Sequence, residues 1–245
     1  MKKILTSIGI GAATVDTVLP STTVTPGTTV DAEISIEGGQ APQKISAIEL
    51  TIETRYQTDE GYVEAEIGRT RLAESLTIEP DMRDVRSTPI EIPYHTPITI
   101  GRVDVWLDTD LEIDMAVDPE DIDQLVVNPT PRMRALFDAA ESLGFTLANA
   151  SCQADPYGRY TSTQSFVQEF EFRPKQGPFV GAVDEIEFVC QPGPDALTAF
   201  IEVDRRGSLF SELTDTDERH EQLIITETEP EQLATKLEPI IHDLA

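Results

Sequence analysis

Lysine is nearly missing from this chain. Five of its 245 residues are Lys, and Lys plus Arg reach 18 against 45 Asp plus Glu, a formal net charge of −27 at pH 7. Binding a phosphate backbone requires a basic surface that releases counterions, so nucleic acid is excluded as a partner. An anionic bilayer is repelled in the same way. No apolar run approaches the roughly 18 residues a membrane span needs, so no membrane insertion is expected. Cysteine is down to Cys152 and Cys190. They form no Cys-x-x-Cys pair and have no histidine at metal-ligand spacing, which argues against a disulfide framework or zinc site and suits a reducing compartment.

Catalytic signatures are missing too. His95, His220 and His242 are scattered, and there is no Gly-x-Ser-x-Gly elbow, phosphate loop or His-Glu-x-x-His. Among 45 acids every neighbouring pair could act as acid and base, so none is singled out. The expectation is a protein that is not an enzyme, with no catalytic residue, no metal ligand and no cofactor.

The chain does have enough apolar material to fold. Leu, Ile, Val and Phe supply 65 of the 245 residues, above the range in which chains fail to collapse. Charged residues are an ordinary 26%, so the anomaly is their sign. A Lys-poor, carboxylate-rich surface fits a halophilic organism, because molar salt shortens the Debye length to about 3 Å and screens the self-repulsion. The first residues, Met1 to Ala13, imitate a secretory signal with Lys2, Lys3 and an apolar stretch. That stretch is broken by Thr6, Ser7, Gly9 and Gly11 and runs straight into Val15, so a short amphipathic segment and a cytoplasmic location are expected.

From Val15 to about Val127 the period is two. Val30, Ala32, Ile34 and Ile36 alternate with Asp31, Glu33 and Ser35; Ile48, Leu50 and Ile52 with Glu49, Thr51 and Glu53; Val103, Val105 and Leu107 with Asp104, Trp106 and Asp108. Turn residues separate these runs, which predicts an antiparallel β-sandwich over residues 1–128. After Pro129 the spacing turns helical. Thr130 is the expected N-cap and Pro131 the first helical residue, with Met133, Leu136, Phe137, Ala140 and Leu143 on one face and Gly144 closing the helix, near 131–144. Strands are expected at Phe166–Phe172, Asp184–Cys190, Leu197–Val203 and Leu223–Thr226. A closing amphipathic helix near 231–244 carries Leu233, Leu237, Ile240, Ile241 and Leu244 despite Pro239. Residues 129–245 are thus expected to form a second, strand-rich domain with one or two helices. Trp106, Phe166, Phe170, Phe172 and Phe188 suit core positions of strands.

Two features point to contacts. Residues 108–123 hold the densest run of acids, in which closely spaced Asp could supply oxygen ligands to calcium. Their spacing misses the EF-hand pattern, and an exposed acidic loop is the main expectation. Arg205 and Arg206, following Asp204, are a rare basic pair in this chain and could grip a carboxylate or phosphate in bidentate fashion.

A resemblance runs along most of the chain. Gly9-Ile10-Gly11-Ala12-Ala13-Thr14-Val15-Asp16-Thr17, Pro26-Gly27, Gly38-Gly39 and His95-Thr96-Pro97-Ile98-Thr99-Ile100-Gly101 are followed by Leu143-Gly144-Phe145-Thr146-Leu147 with Cys152. Then come Phe166-Val167-Gln168-Glu169-Phe170-Glu171-Phe172, Asp184-Glu185-Ile186-Glu187 and Glu202-Val203-Asp204-Arg205-Arg206. As an ordered set these resemble the sporulation-control protein family, SpoOM. The resemblance implies a mainly β, arrestin-like fold and a cytosolic regulator that works through protein contacts, linked in endospore formers to sporulation control, with no active site. The expected function is a non-catalytic adaptor with unidentified protein partners, whose strand edges could also pair two copies as a homodimer. The alternative is a calcium- or carbohydrate-binding β-sandwich module using residues 108–123.

Overall fold

The computed structural model describes residues 12–72, 75–113, 119–205 and 220–245, and of Arg205 and His220 the backbone alone. The amphipathic N-terminal segment expected from the sequence lies almost wholly outside these residues. Two compact units divide the chain: 1–55, 64–99 and 104–128 belong to the first, and 56–63, 100–103 and 129–245 to the second.

The first unit draws on nine strands, β1 (Thr14–Val18), β2 (Thr23–Val24), β3 (Thr29–Glu37), β4 (Gln43–Thr58), β5 (Gly61–Leu72), β6 (Leu76–Ile78), β7 (Arg83–Glu91), β8 (Val105–Ile113) and β9 (Glu120–Val127). One sheet has the order β1-β3-β7. The other runs β4-β8-β9-β2, with β5 and β6 also pairing with β4. Strand β3 shows why the period-two pattern works: Ala32, Ile34 and Ile36 are fully buried while Asp31, Glu33 and Glu37 face water. The sheets meet at Thr17, whose hydroxyl donates to Thr109 Oγ1 at 2.9 Å and whose N–H donates to the Asp121 carboxylate at 2.6 Å. Leu50, directly opposite Thr109 in the register, and Ile52, Leu107, Leu111 and Leu125 are buried in the same sheet.

The acidic run at 108–123 is not the exposed loop its composition suggests. Asp108 to Ile113 continue β8 and Glu120 to Asp123 open β9, in antiparallel register from Asp110 opposite Glu120 to Val105 opposite Leu125. Val105, Leu107, Thr109, Leu111 and Ile113 are buried, so the intervening Asp108, Asp110 and Glu112 share the other face of a strand. Alternation outweighs acidity here, because burying five side chains in one strand contributes more than a solvated loop would. Residues 114–118 lie outside the description.

The second unit opens with α1 (Pro131–Ser142). The Thr130 hydroxyl accepts the Met133 N–H at 3.4 Å and Pro131 occupies the first turn, where its missing N–H costs nothing. Strands β10 (Phe145–Ala154), β11 (Phe166–Pro174), β12 (Val183–Pro192), β13 (Leu197–Arg205) and β14 (His220–Ile225) follow as an antiparallel meander in sequence order, closed by α2 (Pro230–Leu244). Both helices cover one face of this sheet. Phe137 of α1 sits 4.8 Å from Phe170 and 5.5 Å from Phe172, which in turn lies 5.4 Å from Phe188. Leu233, Leu237 and Ile241 of α2 are fully buried. Each such phenylalanine or leucine contributes about 1.5–3 kcal/mol through removal from water. Cys152 on β10 and Cys190 on β12 are free thiols. Burial pushes the Cys190 thiol up to about 12, so it stays protonated and unreactive at neutral pH.

Candidate functional site

Three places combine exposure with chemistry. The first is the outer face of the β4-β8-β9 sheet. Glu49, Asp110 and Glu120 stand directly opposite one another across three strands. Strand β5 supplies the cations: Arg69 reaches Glu49 at 3.0 Å and Glu66 at 2.5 Å, and Arg71 bridges Glu49 and Glu112. The Trp106 indole N–H donates to Glu53 at 2.9 Å. Carboxylate oxygens of Asp108, Asp110 and Glu120 come within 4.8 Å of one another, and Asp108 Oδ1 is buried with no hydrogen-bond partner. Burial first, and then the charges of Asp110, Glu53 and Glu120, push Asp108 up to about 7.

The second is the end of β13. Asp204 is exposed opposite Glu185, and Arg205 lies opposite Val183 across a register shift. Arg206 and the side chain of Arg205 lie outside the described residues, so their contacts stay a proposal. Strand β14 forms the outer strand of the sheet among the described residues; His220 lies opposite Glu202, and Ile224, 63% exposed, lies opposite Thr198 toward the other end of β13.

The third place escaped the sequence. On the face of the second sheet away from the helices, Glu171, Glu187 and Glu202 stand in one row across β11, β12 and β13. Glu169 lies on the same side of β11. Segment 155–165 folds over them, with Arg159 3.3 Å from Glu202. The signal was present as the alternating Glu169/Glu171, Glu185/Glu187 and Glu202/Asp204. Without the register those acids merge into the general excess.

Two strand-rich units, the first a two-sheet sandwich and the second a meander backed by two helices, define a mainly β, arrestin-like protein. Among the described residues no helix is long and apolar enough to cross a membrane. The chain belongs to the SpoOM protein family, whose sequence profile matches residues 1–207. It is 38% identical over 209 residues to the sporulation-control protein spo0M of Bacillus subtilis strain 168, covering 84% of this chain and 80% of that protein. The crystal structure of Spo0M, sporulation control protein, from Bacillus subtilis superimposes with a TM-score of 0.88 at 34% identity, over 96% of this chain and all of the other.

Proposed function

We propose that this SpoOM-family chain is a non-catalytic regulatory adaptor, working through protein contacts in the cytoplasm of a halophilic organism. The regulatory part is supported by its likeness to a protein named for sporulation control. The adaptor part rests on one observation, the margin of the second sheet. Strand β14 offers an outer edge with exposed Ile224 opposite Thr198 of β13, and the strand starts at His220, opposite Glu202, next to the end of β13 that carries Asp204 and Arg205. An added strand gains backbone hydrogen bonds from such an edge, and flanking side chains select it. Asp204, Arg205 and Arg206 are the proposed contact residues, with the guanidinium groups gripping a carboxylate or phosphorylated side chain. A second copy could pair along the same edge.

Affinity capture from the organism's own lysate at molar KCl tests this. A discrete partner is expected with the native chain and is lost, with the melting temperature unchanged, on Arg205→Ala/Arg206→Ala. Equal capture by both chains would remove the arginines from the contact.

The grouping of Asp108, Asp110 and Glu120 favours a second function, calcium binding on the first sheet. Calcium must displace the Asp108 proton, so affinity is expected to fall by about tenfold per pH unit below about 7. Calorimetry with calcium chloride at pH 8 and pH 6 measures it. Heat that is absent, or unchanged by Asp108→Asn/Asp110→Asn, rules the site out.

A further inference from the structure

The segment joining β10 to β11 is tied down at its root. Asp155 is buried, and its carboxylate accepts the N–H groups of Arg159 at 2.7 Å, Tyr160 at 3.0 Å and Thr161 at 3.1 Å. Its own N–H donates to Ser165 O at 2.8 Å, closing the segment into a ring. Burial raises the Asp155 pKa, but those three N–H groups and Arg159 outweigh it and hold the carboxyl below its ordinary value. Asp155 is therefore ionised throughout the neutral range.

From this root the segment lies across the outer face of the sheet. The Tyr160 ring meets Phe200 of β13 edge-on at 5.3 Å, and its carbonyl accepts from the Gln191 side chain of β12. Arg159 pairs with Glu202 and packs 5.1 Å over the Tyr160 ring. The remaining groups on this face are overwhelmingly acidic. Glu169 and Glu171 come from β11, Glu185 and Glu187 from β12, and Glu202 and Asp204 from β13, with His220 of β14 in register opposite Glu202. At the margin Arg173 pairs with Glu185 at 2.9 Å, and Asn149 of β10 donates to Glu171 at 2.8 Å. Like charges directly opposite one another in a sheet are destabilising. Here Glu169 and Glu187 are both half-buried, in the row and strand beside the Glu202 and Phe200 that the segment contacts.

We propose that residues 155–165 form a proton-gated strap, closed over this face while Glu169 and Glu187 carry protons and lifting when both ionise, which bares Glu169, Glu187, Glu202 and Phe200. Closure is geometrically anchored at Asp155, whose charge does not change in the window, so the gate is set by the acids beneath. Burial, then neighbouring carboxylates, push Glu169 up to about 6, against the smaller opposing pull of Arg159, and Glu187 up to about 7. Both values lie above that of an open, solvated glutamate. The closed strap therefore binds protons more tightly than the open one, so its stability is fully present below about 4.5 and is lost as pH rises through 6 and 7. Molar KCl screens the repulsive part of this cost and leaves the burial part, so salt shrinks the pH effect without abolishing it.

Hydrogen exchange of the full chain across pH 5.5 to 8, corrected for intrinsic rates, reads the gate at the amides of Arg159, Tyr160 and Thr161. With closed values of about 6 and 7 against about 4.5 open, their protection is expected to drop about 100-fold, while core amides of β11 and β12 hold theirs. Glu169→Gln/Glu187→Gln is expected to keep protection high and flat with pH. Glu187→Gln alone, the gentler change, leaves about a fourfold drop from Glu169. Strap protection that is flat in the native chain, that falls only together with the core, or that keeps the full drop of about 100-fold in Glu187→Gln overturns the proposal.

Discussion

Raising KCl from about 0.1 M to about 2 M at pH 8 is expected to raise the melting temperature by about 10 °C. The fold places acids face to face instead of dispersing them. Directly opposed pairs include Glu49 with Asp110, Asp110 with Glu120, Glu171 with Glu187, Glu187 with Glu202 and Glu185 with Asp204. At roughly 0.2–1 kcal/mol each, these five pairs cost about 1–5 kcal/mol in dilute buffer. At about 2–4 °C per kcal/mol for a chain of this size, relief of most of that cost gives the expected rise. Salt also weakens favourable pairs such as Arg69 with Glu49 and Glu66. Exposed pairs contribute little, and 18 cations cannot balance 45 acids, so the repulsive side dominates. A melting temperature independent of KCl would contradict the halophilic proposal.

Gly144→Ala is expected to destabilise the second unit by about 2–5 kcal/mol, from a left-handed backbone that disfavours Cβ and a clash that displaces packed backbone. Gly144 follows α1 with φ +95°, and a Cβ there would stand 2.1 Å from the carbonyl oxygen of Gln176. That neighbour cannot retreat cheaply, because Gly144 O accepts the N–H groups of Lys175 at 2.9 Å and Gln176 at 3.3 Å. The turn that ends the helix and the start of the β10–β11 ladder are thus one structure. Gly101→Ala is the control. Its φ of +66° carries the same backbone preference, but the nearest atom would be 3.5 Å away, so about 1–2 kcal/mol is expected. Equal losses in urea unfolding would show that the Gln176 contact does not matter.

Strands with one wet face were the most legible part of the chain. Val30 to Ile36 alternates in sequence because Ala32, Ile34 and Ile36 share the buried side of β3, although Ser35 on the other side is buried too, and the run is read correctly to within a residue or two. The helix at Pro131 was equally plain, since cap, proline and apolar spacing agree. Strand β10 was not visible. Its residues Thr146 to Ala154 are mostly small or polar, and a register shift between Leu147 and Asn149 breaks the period. The acidic segment misled for a different reason: composition suggested a loop where alternation with Thr109, Leu111 and Ile113 dictated a strand. The strap was hidden most deeply. Its contacts join Arg159 to Glu202 and Tyr160 to Phe200, more than 35 residues apart, and only the pairing of β11 with β12 and β12 with β13 brings them together.

The adaptor proposal makes the β14 margin of the second sheet the contact surface. The most direct test places a photo-crosslinking residue at Ile224 in the full chain, with Tyr62 on the β4–β5 hairpin as the exposed comparison, and irradiates the organism's lysate at molar KCl. A discrete adduct from position 224, absent from position 62, is the expected result. No adduct at 224, or the same adducts from both positions, would contradict it.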